Sequence, residues 1–477
     1  MIELRKVLKL RTVTSASAGM ALATSCYLAG LQVATIVVGE LAWISILVAG
    51  AFCLLSSLCF SELTSQYPTA AGIKLFVQNA FNEKTSIVIG TFYVVLGISM
   101  VGAESYLLSS VLLATVPMFD PFVDRVIWML VFIFLVGFVN YRGVKLTGFV
   151  QDILTYVMIG FLVLVSVYSL TRTGLDLGPA LASPKFSFGN VLNAAAVGVF
   201  LYVGYEWVTP LAEETTDYRM IGKGMMIAIG ILSVTYALFT VAMWTGLTPL
   251  ERSSGTAIPH ILFGRNLLGP VGGLAFVLMS VLASVTSFNS GLLNTSRFAY
   301  AMGRDAVLPR AFSRLHPDHA TPWFAILCLV IVAIALSFLI LVTGKYLFII
   351  VMAAALECFI YVVMAVAVLR LRATRPENPR DFRIPLGPVV PIAVIVIFTA
   401  LLAGIFIDAT REPSGAILFQ NWWVAVAMAA FLLVCLLYTL LVVPVLKRKA
   451  AERAAVRVKR RPGGRPEGGA APNSQYD

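Results

Sequence analysis

Three carboxylates sit in surroundings that disfavour charge. Glu104, Glu206 and Glu357 each fall within a long apolar run, where an ionised acid facing lipid at mid-bilayer costs about 2.5–3.5 kcal/mol. Each is therefore expected to face protein, and three tasks are open to it there: pairing with the ammonium group of a cargo, holding a transferable proton, or bracing neighbouring helices. Glu206 belongs to the stretch Phe200-Leu-Tyr-Val-Gly-Tyr-Glu-Trp-Val-Thr-Pro-Leu-Ala-Glu-Glu214, in which Gly204 and Pro210 both weaken a helix. A second unusual run, near the N-terminus, carries Ser15, Ser17, Gly19, Thr24, Ser25 and Gly30 around Ala23-Thr24-Ser25-Cys26. Other chemistries are poorly provided for. The six cysteines stand in apolar runs without C-x-x-C spacing, and His260, His316 and His319 fall in predicted loops. No metal centre, cofactor or catalytic constellation is expected at membrane depth, and the chain is not expected to be an enzyme.

The elements that must position these acids are set by hydropathy. With 59% hydrophobic and 12% charged residues over 477 positions, a water-soluble globular protein is excluded. Apolar runs of roughly 20 residues cross about 30 Å of hydrocarbon, and twelve of them are expected between residues 14 and 446. Residues 1–13 read as a cytoplasmic N-terminus and 14–371 as a ten-helix transport core. Residues 372–446 follow as a basic loop with two peripheral helices, and 447–477 as a basic, disordered tail. Lys and Arg concentrate in alternate loops and in that tail, which places both termini in the cytoplasm of a multi-pass protein of the cell membrane. The net charge of +11 is thereby assigned to topology and to anionic lipid, not to nucleic acid.

In span order, the polar run lies in span 1 and Gly204 in span 6, the first members of two five-span halves. Inverted-repeat transporters interrupt helices at such corresponding positions and bind cargo at the interruption. A broken helix exposes N–H groups that attract a carboxylate and C=O groups that attract an ammonium. Thr24, Ser25 and Cys26, with Ala23 beside them, are expected to offer N–H groups, and Phe200 to Gly204, Val203 included, to offer carbonyls. Close packing of helices by small residues is the competing explanation. At about 1.5 Å per residue, Glu206 and Glu357 land near mid-depth, level with the cargo, and Glu104 in the outer half.

Three stretches carry a family resemblance. Ser61-Glu-Leu-Thr-Ser-Gln-Tyr-Pro68-Thr-Ala-Ala71-Gly72 is similar to the AELASRFPRAGG signature of amino acid–polyamine–organocation permeases. Phe200, Tyr202, Gly204, Tyr205 and Glu206, then Ala212-Glu213-Glu214, fall on that family's FFAFDGFESAANLAEE. Asn294-Thr-Ser-Arg297 through Arg304-Asp305-Ala-Val-Leu-Pro309 resembles AASRLLYALARDGLLP. The resemblance spans roughly residues 14–447. It implies an all-α polytopic fold of twelve transmembrane helices, with a 5+5 inverted-repeat, leucine-transporter-like core, helices 1 and 6 interrupted, and alternating access. It also implies that Phe200 is a gating aromatic, a cage that Tyr202 and Phe288 would complete around an ammonium by cation–π attraction.

Two departures bear on mechanism. Ala23, Thr24 and Ser25 stand where the family carries glycines. Val150-Gln-Asp-Ile-Leu-Thr155 keeps a span 5 motif whose following lysine carries the proton in many relatives, but the position here is Met158, so coupling through that lysine is excluded. Proton symport on another group and substrate/product exchange both remain. Sodium coupling through hydroxyls such as Ser284, Thr286 and Ser287 ranks third. The expected function is secondary transport of an amino acid or related amine. The alternatives are a polyamine or amino-alcohol exchanger and a non-transporting nutrient sensor.

Overall fold

The computed structural model describes residues 4–459 other than 38, 176, 178–180, 182, 184–186, 254–257, 408 and 412–416. The described chain is helical apart from a two-stranded antiparallel hairpin pairing Ala409–Arg411 with Ile417–Gln420. Among the described residues, eleven helices are long and apolar enough to cross a membrane. Span 1 is not among them because it is cut into α1 (Leu10–Ala21) and α2 (Ser25–Ile36), each of 12 residues.

The first half continues with α3 (Ala42–Gln66), the short α4 (Gly72–Ala80), α5 (Glu83–Thr115), α6 (Pro121–Arg142) and α7 (Val144–Thr173). Local chemistry sets several boundaries. Asn82 accepts from the Thr85 N–H at the start of α5, and Asp120 accepts from the Phe122 N–H ahead of Pro121, both satisfying donors that a helix start leaves free. Gly143 turns α6 into α7 with a φ of 123° that favours glycine.

Span 6 begins as α8 (Phe188–Val199), tightens at Phe200–Tyr202, and breaks at Val203 and Gly204. It resumes as a 3₁₀ segment, Tyr205–Glu213, with Pro210 inside it, a residue that has no N–H to donate. Then follow α9 (Arg219–Gly246), α10 (Pro259–Arg304, bent at Leu268 and Gly269), α11 (Trp323–Thr343), α12 (Tyr346–Thr374), α13 (Val389–Ile407), α14 (Trp422–Leu441) and α15 (Val443–Lys459). The tail was expected to be disordered from Lys447. Its described part continues helically to Lys459, as Ala-, Lys- and Arg-rich sequence favours, and 460–477 lie outside the described residues.

α1 packs against α7, α9, α10 and the 3₁₀ segment, so the two interrupted spans meet in the centre of the bundle. α5 lies along α10, while α13 and α14 pack on α12 and α5. Large apolar side chains such as Phe134, Leu135 and Phe138 on α6 and Phe149 and Leu164 on α7 remain exposed, an outward apolar surface suited to lipid. The interior carries polar side chains instead, including Glu62, Glu104, Glu206, Arg297 and Glu357, each of which needs a partner.

Candidate functional site

At the interruption of span 1, α1 ends with Leu22 (φ −79°, ψ 68°). Its last carbonyls are held from outside the helix. Ser290 Oγ donates to Ala16 O at 2.6 Å, Ser287 Oγ to Met20 O at 3.0 Å, and Tyr236 OH to Ala21 O at 2.8 Å. The start of α2 faces a carboxylate: the Thr24 N–H donates to Glu104 Oε1 at 2.8 Å, and Ser284 Oγ donates to the same oxygen at 2.8 Å. Thr24 Oγ1 lies 2.9 Å from Ser284 Oγ and donates to Ser280 O. The Cys26 N–H turns back to Ala23 O. Ser25 opens α2, and its side chain lies outside the described set.

Across from this end stands the interruption of span 6. Gly204 adopts φ 109°, ψ −8°, a left-handed conformation in which a side chain is strained. An added Cβ would also lie 2.4 Å from Met20 Cγ. The glycine therefore sets both the turn and the approach of span 6 to the end of α1, a contact that Ser17 Oγ supports by donating to Tyr205 O at 2.8 Å. Gly204→Ala is expected to destabilise by about 1–3 kcal/mol of backbone strain, with Met20 displaced as well. A melting temperature unchanged from wild type in detergent would contradict this account.

Between the two breaks lies a cavity of about 20 Å³, lined by Met20, Ala21, Ala23, Cys26, Ala103, Glu104, Leu107, Phe200, Val203 and Ser287. That is room for about one water-sized group. Of the residues expected to hold cargo, Ala23, Cys26, Phe200 and Val203 line it, and Thr24 binds the carboxylate beside it. Two others stand elsewhere. Tyr202 is buried with its OH donating to Ile46 O and lying 3.1 Å from Ser233 Oγ, so it ties α3 to α9. Phe288 is buried against Phe132, 5.4 Å away edge to face, in a separate apolar cluster. A cage completed by Tyr202 and Phe288 does not form in this arrangement.

Glu104, the acid expected away from the cargo, lines the cavity, whereas Glu206 and Glu357, expected level with the cargo, do not. Glu206 and Glu357 instead form a fully buried pair near each other behind the 3₁₀ segment. Tyr361 OH donates to Glu206 Oε2 at 2.9 Å, and Trp207 Nε1 donates to Glu357 Oε1 at 2.9 Å. Trp207 is fixed in turn by Tyr93, stacked at 3.8 Å. The remaining oxygens, Glu206 Oε1 and Glu357 Oε2, are buried with no hydrogen-bond partner among the described residues, and the two carboxyl groups are close enough to act directly on each other. The other titratable groups near them are Cys53, Tyr93, Tyr205, Cys358 and Tyr361. None is basic.

The sequence profile of the amino acid permeases matches residues 8–435. This chain belongs to that family. Branched-chain amino acid permease BcaP of Bacillus subtilis (strain 168) is 26% identical over 373 residues, which cover 73% of this chain and 77% of the relative. The methylthioribose transporter of the same organism is 25% identical, over 82% of this chain and 86% of its own length. Human Asc-type amino acid transporter 1 is 24% identical, over 74% and 68% respectively. The resemblance read from the three motifs is thus confirmed across most of the chain.

In the permease only the start of the span 6 motif reaches the cavity, through Phe200 and Val203; the other motif residues serve elsewhere. They meet at one end of the bundle, the end where Val7 and Leu8 N–H groups donate to Glu214 O. Glu214 and Arg297 form an ion pair at 2.8 Å, with side chains 1% and 0% exposed. Glu213 pairs with Arg304 at 2.7 Å and accepts from the Ala70 N–H, while Lys74 pairs with Asp305 at 2.6 Å. Glu62 pairs with Arg372 at 2.5 Å and accepts from the Ile384 N–H. Sequence reasoning used Glu213, Glu214 and Arg297 as motif residues and assigned them no partners. The available signal was Arg297 itself, a cation within an apolar run that requires an anion.

Asp152, at the same end, accepts from Arg11, Thr12 and Ser15. Gln151 and Asn289 join α7 to α10 at 2.8 Å. Met158 is buried in the core. The hydroxyls considered for sodium are engaged: Ser284 on Glu104, Ser287 on Met20 O, and Thr286 on Leu282 O. His260 was assigned to a loop but is buried at the start of α10, its Nε2 2.7 Å from Ser280 Oγ and its ring 4.5 Å from that of Tyr27. Leu268 and Gly269 leave helical geometry, and the helical stretch before them folds back on 272–280, which carries His260 inward.

Proposed function

We propose that this permease carries a small amino acid or related amine across the cell membrane by alternating access, coupled to protons. The observation that supports this most directly is the cavity held between two helix interruptions, where the ends of the broken helices and one carboxylate converge under Phe200. Movement of the two broken spans opens such a cavity first to one side and then to the other. On this reading residues 14–371 form a ten-helix core of two inverted repeats, twelve spans cross the membrane, and α13 and α14 are peripheral. The end bearing Glu213, Glu214 and the basic loops faces the cytoplasm, with both termini. Two of the three relatives are named for amino acids and one for methylthioribose, so small polar cargo is common to them.

The proton is assigned to Glu206 and Glu357. Two adjacent buried carboxylates without a cation cannot both stay ionised. One shared proton removes the repulsion and supplies the hydrogen bond that Glu206 Oε1 and Glu357 Oε2 lack, so the pair titrates as a unit. Substrate/product exchange is the second reading, favoured by Met158 at the position of the relatives' proton-carrying lysine.

Reconstituted protein separates these. Liposomes loaded with unlabelled substrate are expected to draw in labelled substrate by counterflow, and an inside-alkaline gradient to drive accumulation. Counterflow without accumulation would establish exchange. Saturable binding with neither would replace transport by nutrient sensing.

A further inference from the structure

The broken helix of span 1 already contains an anion, and this bears on which cargo fits. The geometry points to an amine that lacks an α-carboxylate as the preferred cargo, its ammonium group paired with Glu104; the inference rests on the permease reading above. α2 is a 12-residue helix, and its start carries the partial positive charge and free N–H groups that would attract a carboxylate. In this chain Glu104 takes that place. The Thr24 N–H and the Ser284 hydroxyl both donate to its Oε1 at 2.8 Å. The Cys26 and Ala23 N–H groups return to Ala23 O and Ala21 O. A cargo carboxylate would find these donors engaged.

It would also meet a like charge. Glu104 is 5% exposed, and its Oε2 accepts from none of the described residues. Cys26 and Tyr27 are the other titratable groups beside it. Among the described residues no lysine, arginine or histidine lines the cavity, whose other walls are apolar except for Ser287, and that hydroxyl donates to Met20 O. Two carboxylates in such a space repel without a cation to offset them. An ammonium group reverses every term. It is water-sized, fits the space of about 20 Å³, neutralises Glu104, and donates to Oε2. When the two broken spans part, the rest of the molecule meets Leu107, Phe200 and Val203, surfaces suited to a methylene chain. Ala23 and Thr24, where the family has glycines, narrow the same place further.

The test compares amino acids with their decarboxylated counterparts. The full-length protein in liposomes is assayed for counterflow at pH 7.5 with three pairs: ornithine and putrescine, serine and ethanolamine, leucine and 3-methylbutylamine. The expected result is that the amine of at least one pair exchanges tenfold faster or more than its amino acid, and stabilises the detergent-purified protein to heat where the amino acid does not. Glu104→Gln is expected to lower that exchange at least tenfold and Glu104→Asp to restore part of it. The wild-type comparison stands even if a variant fails to fold. An amino acid exchanged as fast as its amine, or faster, overturns the inference and leaves the permease reading in place. Movement of neither member of any pair overturns the inference and counts against transport as well.

Discussion

Arg297→Met is expected to destabilise the permease by about 3–5 kcal/mol, the usual consequence of removing one member of a buried ion pair. Glu214 would be left with its side chain 1% exposed and its guanidinium partner gone. Nothing else among its described contacts brings a positive charge. The comparison that isolates burial is Arg219→Ala: Arg219 pairs with Asp381 at 3.0 Å, but the two side chains are 60% and 33% exposed. Water already screens that pair, and its loss should cost far less than that of the buried one. A double variant, Arg297→Met with Glu214→Leu, removes both charges and should recover much of the single variant's loss, because the desolvation of two ions is relieved together. Thermal unfolding in detergent reads all four proteins. If Arg297→Met melts no lower than Arg219→Ala, the buried pair is not what holds α10 to the end of the 3₁₀ segment.

That ion pair also marks the limit of what sequence alone conveys. The three motifs were legible because they are local, and they carried the family assignment. Their meeting point was not, since Glu62, Glu213, Glu214, Arg297, Arg304 and Asp305 come together only through packing of α3, the 3₁₀ segment, α10 and the loops beside them. The breaks were legible for a physical reason: Gly204 within an apolar run, and hydroxyls clustered around Thr24, are anomalies that a lipid-facing helix would not keep. That Glu104 lines the cavity was not legible, because its partners Thr24 and Ser284 come from two other spans. Phe288 failed because an aromatic on an apolar face has no sequence mark that separates a cargo cage from a core contact. Glu206 and Glu357 were singled out as acids, but their pairing depends on the 3₁₀ turn placing Glu206 and Trp207 together against α12.

Glu357→Gln should abolish gradient-driven accumulation while leaving counterflow. The amide keeps a carbonyl oxygen for Trp207 Nε1, which donates to Glu357 Oε1 at 2.9 Å, so the stacked Trp207 and Tyr93 need not move. What the variant loses is the exchangeable proton between the two acids. With one proton moved per cycle, each unit of pH gradient is worth about 1.4 kcal/mol, or roughly tenfold accumulation. The variant should therefore lose about tenfold accumulation per pH unit imposed, and its uptake should no longer follow external pH through the pair. Glu206→Gln should act in the same direction. It should also weaken the bond from Tyr361 OH, 2.9 Å from Glu206 Oε2, because a neutral acceptor replaces a shared acid. Tyr361→Phe is the companion measurement: it removes the donor but not the proton site, so accumulation should persist with a shifted pH profile. Were Glu357→Gln to accumulate substrate as steeply with the gradient as wild type, the proton would have to travel by another group, and the buried acids would be a brace between span 6 and α12.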